Sequence, residues 1–252
     1  MKKIGVVGAT GRTGSKVIEA LLLSKSCVLQ AAIVSPTSTK LGTQVVGSEV
    51  LYSKDLEQLA GCNVVIEFST PEVSLQVVEA CARHRVPVTV ATTSHTPEQV
   101  EQIVAFAQHI PVLVAPNTSL GAAVLALLVG QAAEILGAAF DLEVMEIHHR
   151  MKKDAPSGTA RALVSAAIAP TQRPVFGREG QRQQDEVGVV SLRGGDLPGD
   201  HTAYFLGDGE RLELSHKVHD RRVFGVGALT LAERLVGRKP GLYSVRSLLL
   251  EQ

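Results

Sequence analysis

Neither sign of charge prevails in this chain of 252 residues: 25 basic side chains stand against 25 acidic ones. Proteins that bind nucleic acid or a membrane surface as their main task carry a basic excess, so both roles are excluded and any cationic site must be local. Cysteine is scarce too. Cys27, Cys62 and Cys81 are widely spaced and form no C-x-x-C pair. A disulfide framework is therefore not expected, and three buried reduced thiols are. The N-terminus runs from Met1-Lys2-Lys3 straight into Ile4-Gly5-Val6-Val7-Gly8, too short and too glycine-rich for the apolar part of a signal peptide. Leu120 to Leu136 is apolar, but Gln131 and Glu134 interrupt it and it is expected to fall short of a membrane span. There is no internal repeat or low-complexity tract. A soluble, cytoplasmic chain is expected, 45% hydrophobic, with enough core for one large domain or two modest ones.

The first half alternates strand and helix patterns. Apolar strands are expected at Lys3–Gly8, Val28–Val34, Asn63–Ser69, Pro87–Thr93 and Pro111–Ala115. Between them lie helices: Gly14–Ser24, with Val17, Ile18, Leu21 and Leu22 at helical spacing; one opening at Pro71-Glu72; and one opening at Thr96, where Gln99 completes a capping box. Short apolar strands separated by helices indicate a parallel sheet covered on both faces. The pattern changes near Asn117. A long helix from about Leu120 leads into strands at Asp141–His148, Val187–Arg193, His201–Leu206 and Arg211–His219, with a helix expected over Ala160–Ala169. In the last strand Leu212 and Leu214, and by the same spacing His216, alternate with Glu213, Ser215 and Lys217, as in a sheet with one wet face. Residues 170–186 are polar and read as a mobile excursion. A helix over about Arg221–Val236 is placed to return to the first domain. The expected division is a dinucleotide-binding domain, 1–118, completed by 220–252, and a substrate-binding and oligomerisation domain, 119–219.

Gly8-Ala9-Thr10-Gly11-Arg12-Thr13-Gly14 follows the first strand and opens the first helix. Glycines in such a strand–turn–helix unit allow a tight turn and let a pyrophosphate approach the helix N-terminus. The fold class is therefore α/β: a Rossmann-like, doubly wound parallel sheet followed by an α+β domain. NAD-preferring folds place an acid about 20 residues past the loop. No acid occurs from Val28 to Ser48; the stretch offers Ser35, Thr37, Ser38, Thr39 and Lys40, with Arg12 nearby. Hydroxyls and cations suit a 2′-phosphate, so NADPH is expected to serve at least as well as NADH. Ala91-Thr92-Thr93-Ser94 and Ala115-Pro116-Asn117-Thr118 each follow an expected strand, where ligands of open parallel sheets bind.

The second concentration of chemistry is Glu146 to Thr159. It holds two imidazoles, an arginine, two lysines and a Ser157-Gly158-Thr159 turn before a helix, and such a turn binds anions well. Proton donors beside an anion site suggest an enzyme for a small acidic substrate. His148 and His149 are adjacent on a strand and point to opposite faces, so they do not share a metal, and none is expected. Lys153 reads as part of a solvated charged face. Asp154 is placed to orient a neighbouring cation or to cap the turn.

His148-His149-Arg150-Met151-Lys152-Lys153-Asp154-Ala155-Pro156-Ser157-Gly158-Thr159 closely resembles the signature of the 4-hydroxy-tetrahydrodipicolinate (dihydrodipicolinate) reductase family of the diaminopimelate route to lysine. The resemblance runs from Lys3 to about Leu250, weakest in the middle excursion. It implies hydride transfer from a nicotinamide cofactor, NADPH or NADH, to C4 of a ring dicarboxylate. His148 matches the proton donor/acceptor, and Lys152 the cation that donates a proton or stabilises developing charge. His149 matches a substrate-carboxylate contact, and Gly158 and Thr159, with Ser157, the backbone anion site. The glycine loop is similar to the family's, which usually has Met at the place of Thr13. Phe68 and the 91–94 and 115–118 segments match cofactor-lining stretches, although the family usually has Gly at positions 91 and 94. Arg193-Gly194-Gly195-Asp196, Gly199-Asp200-His201-Thr202 and His216-Lys217 match second-domain segments expected to be structural or part of subunit contacts. The family also implies a homotetramer built through the second-domain sheet. Two other readings are a related two-domain dehydrogenase for another small acidic substrate and a non-catalytic NAD(P)-sensing regulator. The glycine loop also resembles that of atypical short-chain reductases. Their usual Tyr-x-x-x-Lys pair is absent, because Leu56, Asp208 and Ser247 follow Tyr52, Tyr204 and Tyr243.

Overall fold

The computed structural model describes residues 1–250; residues 251 and 252 of the C-terminal segment lie outside them. The chain divides into two units, Met1–Ser119 with the return from Arg221, and Leu120–Asp220.

The first unit is built on β1 (Lys2–Val7), β2 (Cys27–Ile33), β3 (Tyr52–Ser53), β4 (Val64–Glu67), β5 (Val88–Val90), β6 (Pro111–Val114) and β12 (Gly241–Tyr243). They form one parallel sheet in the order β12-β6-β5-β4-β1-β2-β3. The chain leaves β1 for β2 on one side and later returns to β4 on the other, so the strand order reverses at the C-terminal end of β1. Such a switch point is where open sheets of this kind bind ligands. Ile4, Val6, Val64, Val65 and Ile66 are fully buried, as expected of strands covered on both faces. The helices are α1 (Gly14–Leu23), α2 (Pro71–Arg83), α3 (Pro97–Ala105), α6 (Arg222–Leu235) and α7 (Val245–Leu250). Thr96 accepts from Gln99 N while Gln99 accepts from Thr96 N, so α3 opens with the anticipated capping box. Helix α6 lies directly on α1: a Cβ at Gly225 would stand 2.4 Å from the Lys16 carbonyl.

The second unit is a five-stranded mixed sheet in the order β11-β10-β7-β9-β8, formed by β7 (Asp141–His148), β8 (Arg173–Phe176), β9 (Glu186–Arg193), β10 (Gly199–Gly207) and β11 (Glu210–Val218). Helices α4 (Leu120–Leu136) and α5 (Gly158–Ala167) cover one face over a core that includes Leu125, Val129, Leu142, Val144, Leu163, Val189 and Phe205. Alternation along the strands sends Val190, Leu192 and Leu206 to the other face, where they are exposed.

Two expectations are corrected here. Residues 170–186 are not a free excursion. They carry the edge strand β8 and a web of ion pairs: Arg178 reaches Glu143 (2.6 Å) and Glu186 (3.0 Å), while Arg182 reaches Asp141 (2.7 Å). Polar composition concealed this because the apolar signal was replaced by complementary charge. Helix α4 also runs on through a 3-10 turn, giving a helical stretch Leu120–Ala139 of 20 residues with mean hydropathy 1.8, long and apolar enough to cross a membrane. The sequence pattern had placed it short of that length. Its Leu125 and Val129 are buried in the core of the second unit, on the sheet.

Candidate active site

In the first unit the candidate residues gather at the loop between β1 and α1. Gly8 has φ +74°, and a Cβ there would meet the Phe68 carbonyl oxygen at 2.1 Å. A Cβ on Gly14 would meet the Gly8 carbonyl oxygen at the same 2.1 Å. Backbone lies on backbone, and only glycine permits it. Gly11 N donates to Gly8 O (2.8 Å), and the Thr13 hydroxyl at the N-cap of α1 makes no capping bond. The first turn of α1 thus has no side-chain acceptor, and a phosphate suits that place. Thr10, Gly11 and Arg12 are exposed and Ala9 is buried.

Past the end of β2, Ser35 Oγ lies 2.9 Å from Thr37 Oγ1, and Lys40 stands 5.9 Å from the centroid of the Tyr52 ring. Ala91 and Ala115 are buried at the ends of β5 and β6; Thr93 and Pro116 are exposed. Ser94 adopts φ +68°, a conformation glycine takes more easily. Thr92 and Thr118 are placed differently from surface ligands. Both are buried, with hydroxyls committed to the Glu67 carboxylate (2.8 Å) and the Phe224 carbonyl (2.7 Å). Asn117 caps its own turn by accepting from Ser119 N (2.9 Å). The bare glycine cradle and the uncapped helix start fit a dinucleotide pyrophosphate.

In the second unit a separate cluster is organised by Glu146. It lies on β7, fully buried, with His148 two residues on and on the same face. Strand pairing sets His201 of β10 opposite Glu146, and Arg193 of β9 opposite His148. Arg193 grips both carboxylate oxygens, at 2.9 and 2.8 Å. His148 Nδ1 bonds Oε2, and Ser157 N donates to Oε1 (3.2 Å). Burial pushes the Glu146 carboxyl up, but hydrogen bonds from His148 and Arg193 outweigh it and hold the group well below the usual carboxylate range. An ionised carboxylate only accepts, so Nδ1 carries the proton of this bond and Nε2 is the nitrogen left for exchange. The His148 ring stands edge-on to His201, with centroids 5.0 Å apart. A Cβ on Gly199 would stand 2.7 Å from His148 Nε2, so a bare backbone is required there. Burial, and then the neighbouring charge of His148, lower His201 to about 3.

Ser157 departs from its expected place as a substrate contact. It is buried, its Oγ accepts from Ala160 N (3.1 Å) as the cap of α5, and the same atom lies 3.0 Å from His201 Nε2. Gly158 is exposed, with open space where a Cβ would stand, and Thr159 follows it in the first turn of α5. Lys152 Nζ pairs with Asp154 Oδ1 at 2.9 Å. Burial raises the Asp154 carboxyl, but the Lys152 hydrogen bond and charge bring it below its ordinary value. Asp154 thereby orients a cation. His149 is half-buried, its N–H donating to Leu197 O (2.9 Å).

Arg193, Gly199 and His201, expected to be structural or at subunit contacts, surround the Glu146–His148 pair. Sequence reasoning gave Glu146 no role, although Glu-x-His on an alternating strand puts both side chains on one face; Arg193 and His201 needed the strand pairing. Glu146, His148 and His201 bring ligand-type atoms within 4.8 Å of one another. With both oxygens of Glu146 held by Arg193, the trio suits proton handling better than a cation.

Two family profiles match the chain. The profile described as dihydrodipicolinate reductase, N-terminus, covers residues 2–118, and its C-terminal counterpart covers residues 121–249. The chain belongs to the dihydrodipicolinate reductase family. Relatives named 4-hydroxy-tetrahydrodipicolinate reductase include one from Geotalea uraniireducens (strain Rf4), 39% identical over 269 residues and covering 99% of each chain. Another, from Aquifex aeolicus (strain VF5), is 41% identical and covers 96% of this chain and 97% of its own. Among solved structures, dipicolinate-bound dihydrodipicolinate reductase from Paenisporosarcina sp. TG-14 shares the fold with TM-score 0.80 at 24% identity, covering 99% of both chains. A probable dehydrogenase from Thermotoga maritima shares it with TM-score 0.67 at 15% identity, covering 98% of this chain and 92% of its own.

Proposed function

We propose that this protein reduces 4-hydroxy-tetrahydrodipicolinate to tetrahydrodipicolinate with NAD(P)H, in the diaminopimelate route to L-lysine. The observation that carries the reading is the buried Glu146–His148 pair, clamped by Arg193 beside the N-terminus of α5 and followed by Lys152. We assign cofactor binding to residues 1–118 with 220–252, and substrate binding to 119–219. The cofactor, when bound, supplies a hydride for C4 of the substrate ring. Gly8, Gly11 and Gly14 would hold its pyrophosphate. Arg12 and Ser35, in a stretch without an acid, favour a 2′-phosphate, hence NADPH at least as much as NADH.

Gly158, Thr159 and His149 receive the substrate carboxylates at the helix start. As the ring gains negative charge, His148 Nε2 handles the proton that must reach the neighbouring carbon. Glu146 holds the imidazole in place by Nδ1. Lys152 stabilises the developing charge or donates a proton. Arg193 keeps Glu146 ionised. The exposed apolar face of the second sheet, with Val190, Leu192 and Leu206, supports a homotetramer paired through that face. A cytoplasmic place accords with the biosynthetic role.

The test is growth rescue. The gene should restore growth without added diaminopimelate to a bacterium lacking this reductase, and a His148→Gln version should not. Failure of the wild-type gene, with the protein expressed in folded form, would contradict the proposal.

A further inference from the structure

A second buried carboxylate lies outside the proton-handling group. Glu67 ends β4, at the edge of the switch point, and is fully buried. Its donors are all neutral. The Ser69 N–H and the Ser69 hydroxyl both reach Oε1, as does the Thr92 hydroxyl (2.8 Å), while the Ser74 hydroxyl reaches Oε2 (2.7 Å). Burying a carboxylate without a cation is costly unless its hydrogen bonds are complete, and here several converge. Those donors come from three segments: the turn after β4, the loop after β5, and the first turns of α2. The backbone continues the pattern. Ala91 N donates to Glu67 O (2.9 Å), Phe68 N donates to Val7 O (3.0 Å), and the Phe68 carbonyl rests where a Cβ of Gly8 would be.

We propose that Glu67 is a positioning residue that locks the Phe68-Ser69-Thr70 and Ala91-Thr92-Thr93 loops to each other and to the glycine loop, so that the nicotinamide cofactor meets a preformed cradle. The inference rests on the cofactor-binding part of the proposed function. Glu67 itself is buried and touches no solvent-facing surface. Its effect is exerted through Phe68, Ser69 and Thr92. Preorganisation of this kind shows in affinity, because a loose loop must be ordered on binding.

The distribution of donors supplies a sharp test. In Glu67→Gln the amide oxygen can take the Oε1 place and keep its donors, while the NH2 donates to Ser74, whose hydroxyl turns to accept. Gln therefore rescues the clamp without its charge. Glu67→Leu keeps the bulk but abolishes the acceptors. NADPH and NADH dissociation constants are measured by equilibrium fluorescence, and amide exchange of residues 68–70 and 91–94 is followed in the cofactor-free protein.

The expected result is cofactor affinity within about threefold of wild type for Glu67→Gln. For Glu67→Leu it is a loss of about tenfold or more, with faster exchange confined to those two loops. Should Glu67→Leu fail to fold, Ser74→Ala stands in; that residue lies in α2, fully buried. A smaller loss of affinity, with faster exchange in the same loops, is then expected. Equal affinity and equal exchange in Glu67→Leu, or in Ser74→Ala where Leu does not fold, would overturn the inference. So would an equal loss in Gln and Leu, which would assign the effect to charge. Wild-type protein that binds neither cofactor would instead overturn the proposed function, so the two failures are distinguishable.

Discussion

Arg193, His148 and the Ser157 N–H complete a shell around Glu146 that no solvent reaches. A carboxyl held below its unfolded value contributes stability that is present above that unfolded value and lost as pH falls through the folded one. His201 works in the same direction from the other chemistry. Its folded value of about 3 lies below the ordinary 6.5, so the unfolded chain takes up a proton first as pH falls. Stability should therefore fall between pH 6.5 and 3 by up to about 1.4 kcal/mol per pH unit for this one group. Denaturant titrations of wild type and His201→Gln across that range should differ in slope; parallel curves would contradict the assignment. Lys152→Ala should cut turnover by about two to four orders of magnitude while cofactor affinity is unchanged. Wild-type turnover in that variant would remove Lys152 from the chemistry. Arg12→Ala should raise the dissociation constant of NADPH far more than that of NADH, and equal increases would remove the 2′-phosphate argument. His148 and Lys152 stood out in the sequence because motif and charge mark them. Glu67 was not legible, since an acid at the end of an apolar strand gives no sign of the hydroxyls folded around it.

Elements were more legible than sites. Strand β7 falls at Asp141–His148 because alternation along it is strict and burial follows it residue by residue. The α3 capping box was readable because its two partners are three residues apart. Strands β3 and β12, of two and three residues, carry too little pattern to be seen and exist through their pairing with β2 and β6. The ion-paired segment 170–186 escaped for a similar reason, since Glu143 and Asp141 are distant in sequence from the arginines they bind. Helix α6 was foreseen, but not the intimacy of its crossing with α1. Gly225→Ala would force the helices apart against the Lys16 backbone and should destabilise the protein by about 3 kcal/mol. A denaturation midpoint equal to wild type would show that the crossing has slack.

At the scale of the whole molecule there are two units: one carries a glycine cradle at a switch point, the other a clamped imidazole, a lysine and a helix start. A dinucleotide sensor would need the cradle but no group for proton transfer, so the His148 and Lys152 cluster is what separates the two readings. The family match along residues 2–118 and 121–249 covers both halves. The deciding measurement is turnover in a coupled assay. Dihydrodipicolinate synthase condenses pyruvate with aspartate semialdehyde in the same cuvette, and oxidation of NADPH and, separately, of NADH is followed after this protein is added. Rapid oxidation that depends on the synthase, with NADPH at least as good as NADH, is the predicted result. Cofactor binding without synthase-dependent oxidation would contradict it.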